Sequence, residues 1–184
     1  PWWDIAFALT IGREGINPRP VQYAYIHNWF QSYCDGFISY SDGVHDDVNK
    51  VIWSAMAWNP QQKIRDVLTE YANVFFGSNI SVQSADGILA LENNWRGSAI
   101  DNGAIEGTLK LWQNLEQTAP QLKNNWRWQM CLVRAYYDAY VREKLIYEQQ
   151  LEEQANQILQ SADAIGSEQA IQKASEILNK AVSE

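Results

Sequence analysis

Residues 121–165 contain neither proline nor glycine, the two residues that most often break a helix. Apolar and aromatic side chains recur there at intervals of three, four or seven residues, which is the spacing of one helix face. At 1.5 Å per residue, a helix over residues 121–160 is roughly 60 Å long. This stretch therefore predicts a mostly α fold with one long helix. The recurring residues are Leu122, Trp126, Met130, Val133, Tyr137, Tyr140, Tyr147, Leu151 and Ile158.

The rest of the chain divides into shorter segments with helical spacing. Asn59-Pro60 predicts a helix start, because asparagine is a good N-cap and proline suits the first helical position. Gly77 predicts the end of that helix. Small residues in the last segment predict that it packs antiparallel along the long helix. We therefore predict a bundle-like domain of about six or seven helices. The predicted segments are 21–33, 44–57, 60–76, 79–93, 104–118, 121–160 and 168–183.

One short segment near the start of the chain has the composition of a β-strand. Phe37-Ile38-Ser39-Tyr40 follows the break at Asp35-Gly36 and leads directly into Ser41-Asp42-Gly43. The chain itself begins Pro1-Trp2-Trp3, with neither an initiator methionine nor a signal peptide. We interpret it as a part of a longer protein, so the sequence does not indicate a compartment.

Charge and motif content exclude several classes of function. Fourteen Lys and Arg against 22 Asp and Glu give a net charge of −8, which argues against nucleic acid or an anionic membrane as partner. No apolar stretch approaches the roughly 18 residues of a transmembrane helix. Since phosphate loops, zinc-ligand spacings and nucleophile signatures are absent, we expect no cofactor and no metal. Cys34 and Cys131 are too few for a disulfide framework, and their redox state stays open.

The densest polar cluster is Tyr40-Ser41-Asp42-Gly43-Val44-His45-Asp46-Asp47. A carboxylate just past a strand end is where barrel enzymes place catalytic groups. Alternatively, Ser41 or Asp42 caps the following helix and the other acids interact favourably with its dipole. His45 is either a metal ligand, as the histidine of an HxD pair with Asp47, or a solvated histidine in the first helical turn. The residues alone leave both interpretations open.

Aromatic residues are abundant, with nine Trp, nine Tyr and five Phe. Indole rings can stack on the apolar C–H faces of sugars. Most of these residues have helical spacing, as Trp112 and Trp126 do, and we predict that they pack in the core. Four others lie near the turn-rich part of the chain and are candidates for ligand contact. They are Trp2, Trp3, Trp53 and Trp58.

Three motifs occur in an order found in a known enzyme family. Asp42-Gly43-Val44 is followed by Val51-Ile52-Trp53 through Ala57-Trp58, and then by Glu70-Tyr71-Ala72 to Phe76-Gly77. This order resembles the alpha-N-acetylglucosaminidase family, which has Glu-Gly-Ile, then an aliphatic-Trp helix, then a helix ending in Tyr-Gly. The resemblance covers about residues 36–77. Residues 85–160, with Leu91-Glu92-Asn93-Asn94-Trp95 and the Arg134–Tyr140 segment, are similar to a large uncharacterised bacterial family of the same architecture.

The resemblance implies a domain organisation. The chain would be the C-terminal part of a large bacterial glycoside-hydrolase-like protein. Residues 1–43 would form the end of a catalytic-barrel-like region, with the short strand as the last strand of a (β/α) barrel. Residues 44–184 would form an all-helical C-terminal domain that buttresses the barrel.

The resemblance also implies site residues. The catalytic glutamate of the family corresponds to Asp42, whose side chain is one methylene shorter, and the second carboxylate would lie upstream of this chain. Substrate contacts are expected at Tyr40, His45, Trp53 and Trp58. Because one strand and one carboxylate cannot cleave a glycosidic bond, we expect this chain alone to be inactive.

Partners follow from the same hypothesis. We expect the upstream barrel of the parent protein and a carbohydrate substrate, a homodimer through the long helix, and neither nucleic acid nor membrane. A glycosidase of this kind would be secreted or periplasmic. The alternative is a non-catalytic helical structural or interaction module of a multidomain protein.

Overall fold

The computed structural model describes residues 15–38 and 44–183. Every regular element within these ranges is a helix, and seven of the helices have eleven or more residues. The predicted mostly α, bundle-like fold is confirmed. The helices are α1 (Pro20–Phe30), α2 (Asp47–Trp58), α3 (Ile64–Phe76), α4 (Ser81–Asn93), α5 (Ala104–Thr118), α6 (Trp126–Gln160), α7 (Ala162–Ile165), α8 (Ser167–Leu178) and α9 (Lys180–Ser183).

The long helix is observed, but it begins later than the apolar spacing predicts. Residues Pro120–Asn124 form a 3₁₀ turn, and α6 starts at Trp126. The cause is Asn125, whose Oδ1 accepts the N–H groups of Arg127 (3.0 Å) and Trp128 (3.2 Å). An asparagine bonded in this way caps a helix N-terminus and stops it from extending backwards.

The predicted helix start at Asn59-Pro60 is wrong. The Asn59 Oδ1 accepts the N–H of Gln61 at 3.0 Å, which closes a local turn, and α3 begins only at Ile64. Its predicted end is correct: Gly77 follows α3 with a φ of 101°, a conformation that favours glycine.

The predicted strand at 37–40 is not observed where it can be assessed. Phe37 and Ile38 are in neither a helix nor a strand, while Ser39 and Tyr40 lie outside the described residues. The side chain of Ile38 is 96% exposed, so it lacks the burial that stabilises a barrel strand.

The chain divides into two compact units, Pro1–Ala139 and Tyr140–Glu184. In the first unit, α1 packs against α2 and α4, and each later helix up to α5 packs against the one before it. The N-terminal part of α6 adds Trp128, Cys131 and Ala135 to the same buried cluster. The predicted domain boundary at residue 43 stays a prediction.

Two tryptophans fill the centre of the first unit. Trp112 of α5 and Trp128 of α6 are fully buried and meet edge to face, with ring centroids 5.4 Å apart. Trp128 also contacts Phe76 in the same manner at 5.2 Å. Trp112 Nε1–H donates to the Gly87 carbonyl at 3.2 Å, so its buried polar group is satisfied. The prediction that Trp112 packs in the core is confirmed.

We expect Gly87→Ala to destabilise the chain although alanine is the better helix former. A Cβ at Gly87 would lie 3.0 Å from two ring carbons of Trp112, which is buried and hydrogen-bonded. Overpacking of this kind costs about 1–3 kcal/mol, more than the roughly 1 kcal/mol gained in helix propensity. A thermal melt should therefore show a lower Tm for Gly87→Ala.

Gly107 provides the matched control. It lies inside α5, and a Cβ added there would meet no atom within 4 Å. Gly107→Ala should therefore raise the free energy of unfolding by about 0.5–1 kcal/mol. Equal stabilisation by both substitutions would contradict the packing described at Gly87.

The second unit is a helical hairpin. Ala181 lines one cavity together with Tyr140, Lys144 and Tyr147 of α6, so the chain returns antiparallel to α6 after the turn at Gly166. Gly166 makes this turn with a φ of 88°. The predicted pairing of the last segment with the long helix is confirmed. The buried residues of this unit are Leu151, Ala155, Ala170 and Ala174.

Candidate functional site

A groove of about 330 Å³ opens between the C-terminal end of α1, the middle of α2 and the segment that follows α1. Its walls combine aromatic rings with four polar side chains, which are those of His27, Gln31, Cys34 and Asp35. Ligand sites are typically concave, mainly apolar and supplied with a few polar groups. The groove is therefore the best candidate binding site in the first unit.

Trp53 is the central ring of this groove. It makes edge-to-face contacts with His27 at 5.2 Å, Tyr23 at 6.2 Å and Phe37 at 6.3 Å between ring centroids. Because three neighbouring rings contact the Trp53 indole, they restrict its orientation. Trp53 is partly exposed, so part of the ring remains available to a ligand.

The surface around the groove is strongly apolar. Large aromatic side chains on α1 and on the turn after it point into solvent, and Tyr33 is 80% exposed. Exposed apolar side chains of this size, where they form one patch, are typical of interaction sites. The other exposed residues in this region are Tyr25, Trp29, Phe30, Phe37 and Ile38.

Of the predicted site residues, the structure describes His45, Trp53 and Trp58. Asp42 and Tyr40 lie outside the described residues. Trp53 lines the groove, whereas neither His45 nor Trp58 is among the lining residues described there. Trp58 is 88% exposed, and its position five residues after Trp53 turns it about 140° around the helix axis.

His45 has a structural role at its backbone. Its carbonyl accepts the N–H of Asn17 at 2.7 Å and so connects the loop before α1 to the segment before α2. Its Nδ1 is buried, with no hydrogen-bond partner among the described atoms. No group of three His, Cys, Asp or Glu side chains in the described ranges is arranged to hold a metal ion.

Asp47, in the first turn of α2, forms a partly buried ion pair. Its carboxylate accepts two hydrogen bonds from Arg127, at 2.8 and 3.0 Å, and one from the Tyr71 hydroxyl at 2.6 Å. Burial, together with the bond to Asp47, raises the pKa of Tyr71 well above its usual value. The Arg127 guanidinium also lies over the Trp126 ring at 4.1 Å. The predicted core position of Trp126 is wrong, because this side chain is 38% exposed.

A second polar network anchors the loop before α1. Glu92 accepts the N–H groups of Val21 (2.8 Å) and Gln22 (3.0 Å), which caps α1 with a carboxylate from α4. Asn49 of α2 accepts the N–H of Arg19 at 2.7 Å. These bonds satisfy backbone groups that would otherwise be unpaired at the start of the helix.

Arg134 and Asp138 on α6 form the buried part of this network. They pair at 2.8 Å, and Arg134 also donates to the Ile16 carbonyl at 3.2 Å. Asp138 further accepts the Asn94 amide and the Trp95 indole N–H, each at 2.9 Å. Burial lowers the pKa of the Arg134 guanidinium, and the charge of Asp138 opposes that change.

Sequence reasoning missed His27, Asp35 and Phe37 as groove residues, and it missed the Arg134–Asp138 pair as buried. One signal was present: Arg134 and Asp138 are four residues apart on a helix whose neighbouring positions face the core.

The two cysteines are both free, but they differ in exposure: Cys34 is exposed and Cys131 is buried. Burial raises the pKa of the Cys131 thiol, which keeps it protonated and unreactive. Among the described helices, none has the length and apolar character required to span a bilayer.

Neither the family models, nor the curated proteins, nor the solved structures contain a match to this chain.

Proposed function

We propose that this chain is the C-terminal region of a glycoside hydrolase, in which it buttresses a barrel and contributes one carboxylate, Asp42, to the substrate cleft. The short strand at 37–40 would be the last strand of that barrel. Two features support the proposal. The first is the family resemblance of residues 36–77. The second is the groove described above, since its lining residues Phe37 and Trp53 lie within that range.

The groove is the observation that carries the proposal. An indole held in place by His27 and Phe37 offers a flat apolar face, which suits the C–H face of a sugar ring. Asp35 supplies a hydrogen-bond acceptor for hydroxyl groups in the same groove. Phe37 precedes Asp42 by only five residues, a span of at most about 18 Å.

The exposed aromatic surface around α1 supports the buttressing role. Side chains such as Trp29 and Phe30 are more than half exposed, which is unusual for residues of this size. Contact with a barrel domain would remove this apolar surface from water. The groove would then lie at a domain boundary, where ligand sites are frequent.

The test is carbohydrate binding by this chain, measured by isothermal titration calorimetry against N-acetylglucosamine and its oligomers. Trp53→Ala should weaken binding about tenfold, since an aromatic stacking contact contributes about 0.5–1.5 kcal/mol. Trp53→Phe keeps most of the packing with His27 and should retain most of the affinity. A circular dichroism melt of each variant separates lost binding from lost folding.

Trp126→Ala is the matched control, because Trp126 is also partly exposed but lies outside the groove. It should bind sugar like the parent chain. If no sugar binds, or if both alanine variants bind equally well, the groove is not a sugar site.

The second candidate is a non-catalytic helical interaction module that dimerises through the long helix. The observation in its favour is a mainly apolar groove of about 740 Å³ along α5 and α6, lined by Met130, Leu132 and the half-exposed Val133 and Tyr136. Under this candidate the chain binds no sugar, and it forms a dimer that Val133→Glu disrupts in analytical ultracentrifugation.

A further inference from the structure

A small polar cavity of about 110 Å³ lies where the loop before α1 meets the end of α4 and the middle of α6. Three guanidinium groups and one carboxylate line it, and the carboxylate of Asp138 pairs with one of the guanidinium groups, so the local formal charge is 3 − 2 = +1. That excess of positive charge contrasts with a chain whose net charge is −8. The lining residues are Asn17, Pro18, Arg19, Glu92, Trp95, Arg96 and Arg134.

The one carboxylate that lines the cavity, that of Glu92, already has hydrogen-bond partners. Both oxygens of Glu92 accept backbone N–H groups of α1, at 2.8 and 3.0 Å. None of the ion pairs among the described residues involves Arg19 or Arg96. Neither guanidinium group therefore has an ion-pair partner within the described part of the chain.

Arg134 forms the buried side of the cavity. Its side chain is 3% exposed, and its guanidinium lies over the Trp95 ring at 3.6 Å, so it is held rigidly. Nε and Nη1 have acceptors, but Nη2 is buried without one among the described atoms. A buried donor of this kind usually has a hydrogen-bond partner. An acceptor bound in the cavity would be that partner after a small shift of the Arg134 side chain.

We propose that this cavity binds an oxyanion, namely a phosphate, sulfate or carboxylate group, between Arg19, Arg96 and Arg134. Planar guanidinium groups match the geometry of such anions and form charge-assisted hydrogen bonds with them. The volume is several times the roughly 30 Å³ of a water molecule in the liquid. It falls well below the roughly 300–1,000 Å³ of pockets for drug-sized molecules.

The cavity does not share residues with the Trp53 groove, so the proposal is independent of the proposed function. The oxyanion has two sources: a free inorganic anion, or an acidic substituent on a larger molecule such as a sugar acid. The chemistry of recognition is the same in both cases.

The test uses calorimetric titration and thermal melts of the chain at low ionic strength, with sodium sulfate, sodium phosphate and sodium glucuronate as probes. Sulfate at ten times its Kd should raise the Tm by about 3–6 °C. Arg19→Gln and Arg96→Gln should each weaken binding about tenfold, and the double variant about a hundredfold. Both side chains are exposed, so the substitutions leave the fold intact.

The control is the double variant Arg65→Gln/Lys110→Gln, which removes two exposed positive charges elsewhere. It should bind sulfate like the parent chain. Tighter binding of glucuronate than of the inorganic anions would identify an acidic sugar as the ligand, and the reverse order a free anion. The proposal fails if sodium chloride of equal ionic strength gives the same shift, or if the Arg19/Arg96 double variant binds like the parent.

Discussion

Asp138→Ala should lower the free energy of unfolding by about 3–5 kcal/mol, because it leaves the buried guanidinium of Arg134 without its counter-charge. Arg134 is 3% exposed and cannot regain its hydration in the folded state. The Asn94 amide and the Trp95 indole N–H lose their acceptor in the same substitution. For a chain of this size the expected fall in Tm is roughly 6–20 °C.

The expected loss of stability is large because the Arg134–Asp138 pair is buried. An exposed ion pair elsewhere in the chain provides the comparison. Glu106 and Lys110 form an ion pair with the same spacing of four residues, but both side chains are more than 60% exposed. Glu106→Ala should therefore change stability by less than about 0.5 kcal/mol. Similar losses in both variants, measured by urea unfolding, would contradict the burial of the Arg134–Asp138 pair.

A double variant separates the cost of an unpaired charge from the cost of lost packing. Arg134→Met/Asp138→Leu replaces both charges with apolar side chains, so no buried charge is left alone. It should be more stable than Asp138→Ala, despite carrying two changes in the core. The remaining loss then reports the hydrogen bonds that both charges made: the one from Arg134 to the Ile16 carbonyl, and those that Asp138 accepted from Asn94 and Trp95.

The helices were largely predictable because apolar spacing directly reports the face that a helix buries. The bounds of α5 match the prediction, since Gly103 and Pro120 flank it in the sequence. The start of α6 was not predictable from spacing, because side-chain capping by Asn125 depends on local geometry rather than on apolar period.

The candidate site was predictable only in part. Trp53 was a candidate because it lies near the turn-rich part of the chain and in a motif that resembles one of a known family, and it lines the groove. His27 and Asp35 come from a different segment of the chain, so only the packing of α1 against α2 brings them to Trp53. Likewise, a pair such as Arg134 and Asp138 is usually solvated on a helix surface, and only tertiary packing shows it to be buried.

The second large effect is expected at Asp42, in the glycoside hydrolase that we propose contains this chain. If Asp42 is a catalytic carboxylate, Asp42→Asn should reduce turnover of aryl glycosides by about 10²- to 10⁴-fold, because asparagine keeps the shape but cannot ionise or transfer a proton. Stability should change little, since asparagine has nearly the same size and shape as aspartate, and the N-cap of α2 is Asp46 rather than Asp42. Rates on a panel of aryl glycosides, together with a melting curve, measure both quantities.

Asp46→Asn is the control for this substitution, because it makes the same chemical change four residues further on, at the N-cap of α2. It should leave the rate unchanged, which excludes a general effect of removing a negative charge from the segment. Equal rates for Asp42→Asn and the parent protein, with equal melting, would exclude Asp42 as a catalytic carboxylate and favour the interaction-module candidate. A selective loss of rate at Asp42, with melting unchanged, would instead place the catalytic carboxylate within this chain, because asparagine differs from aspartate mainly in its inability to ionise.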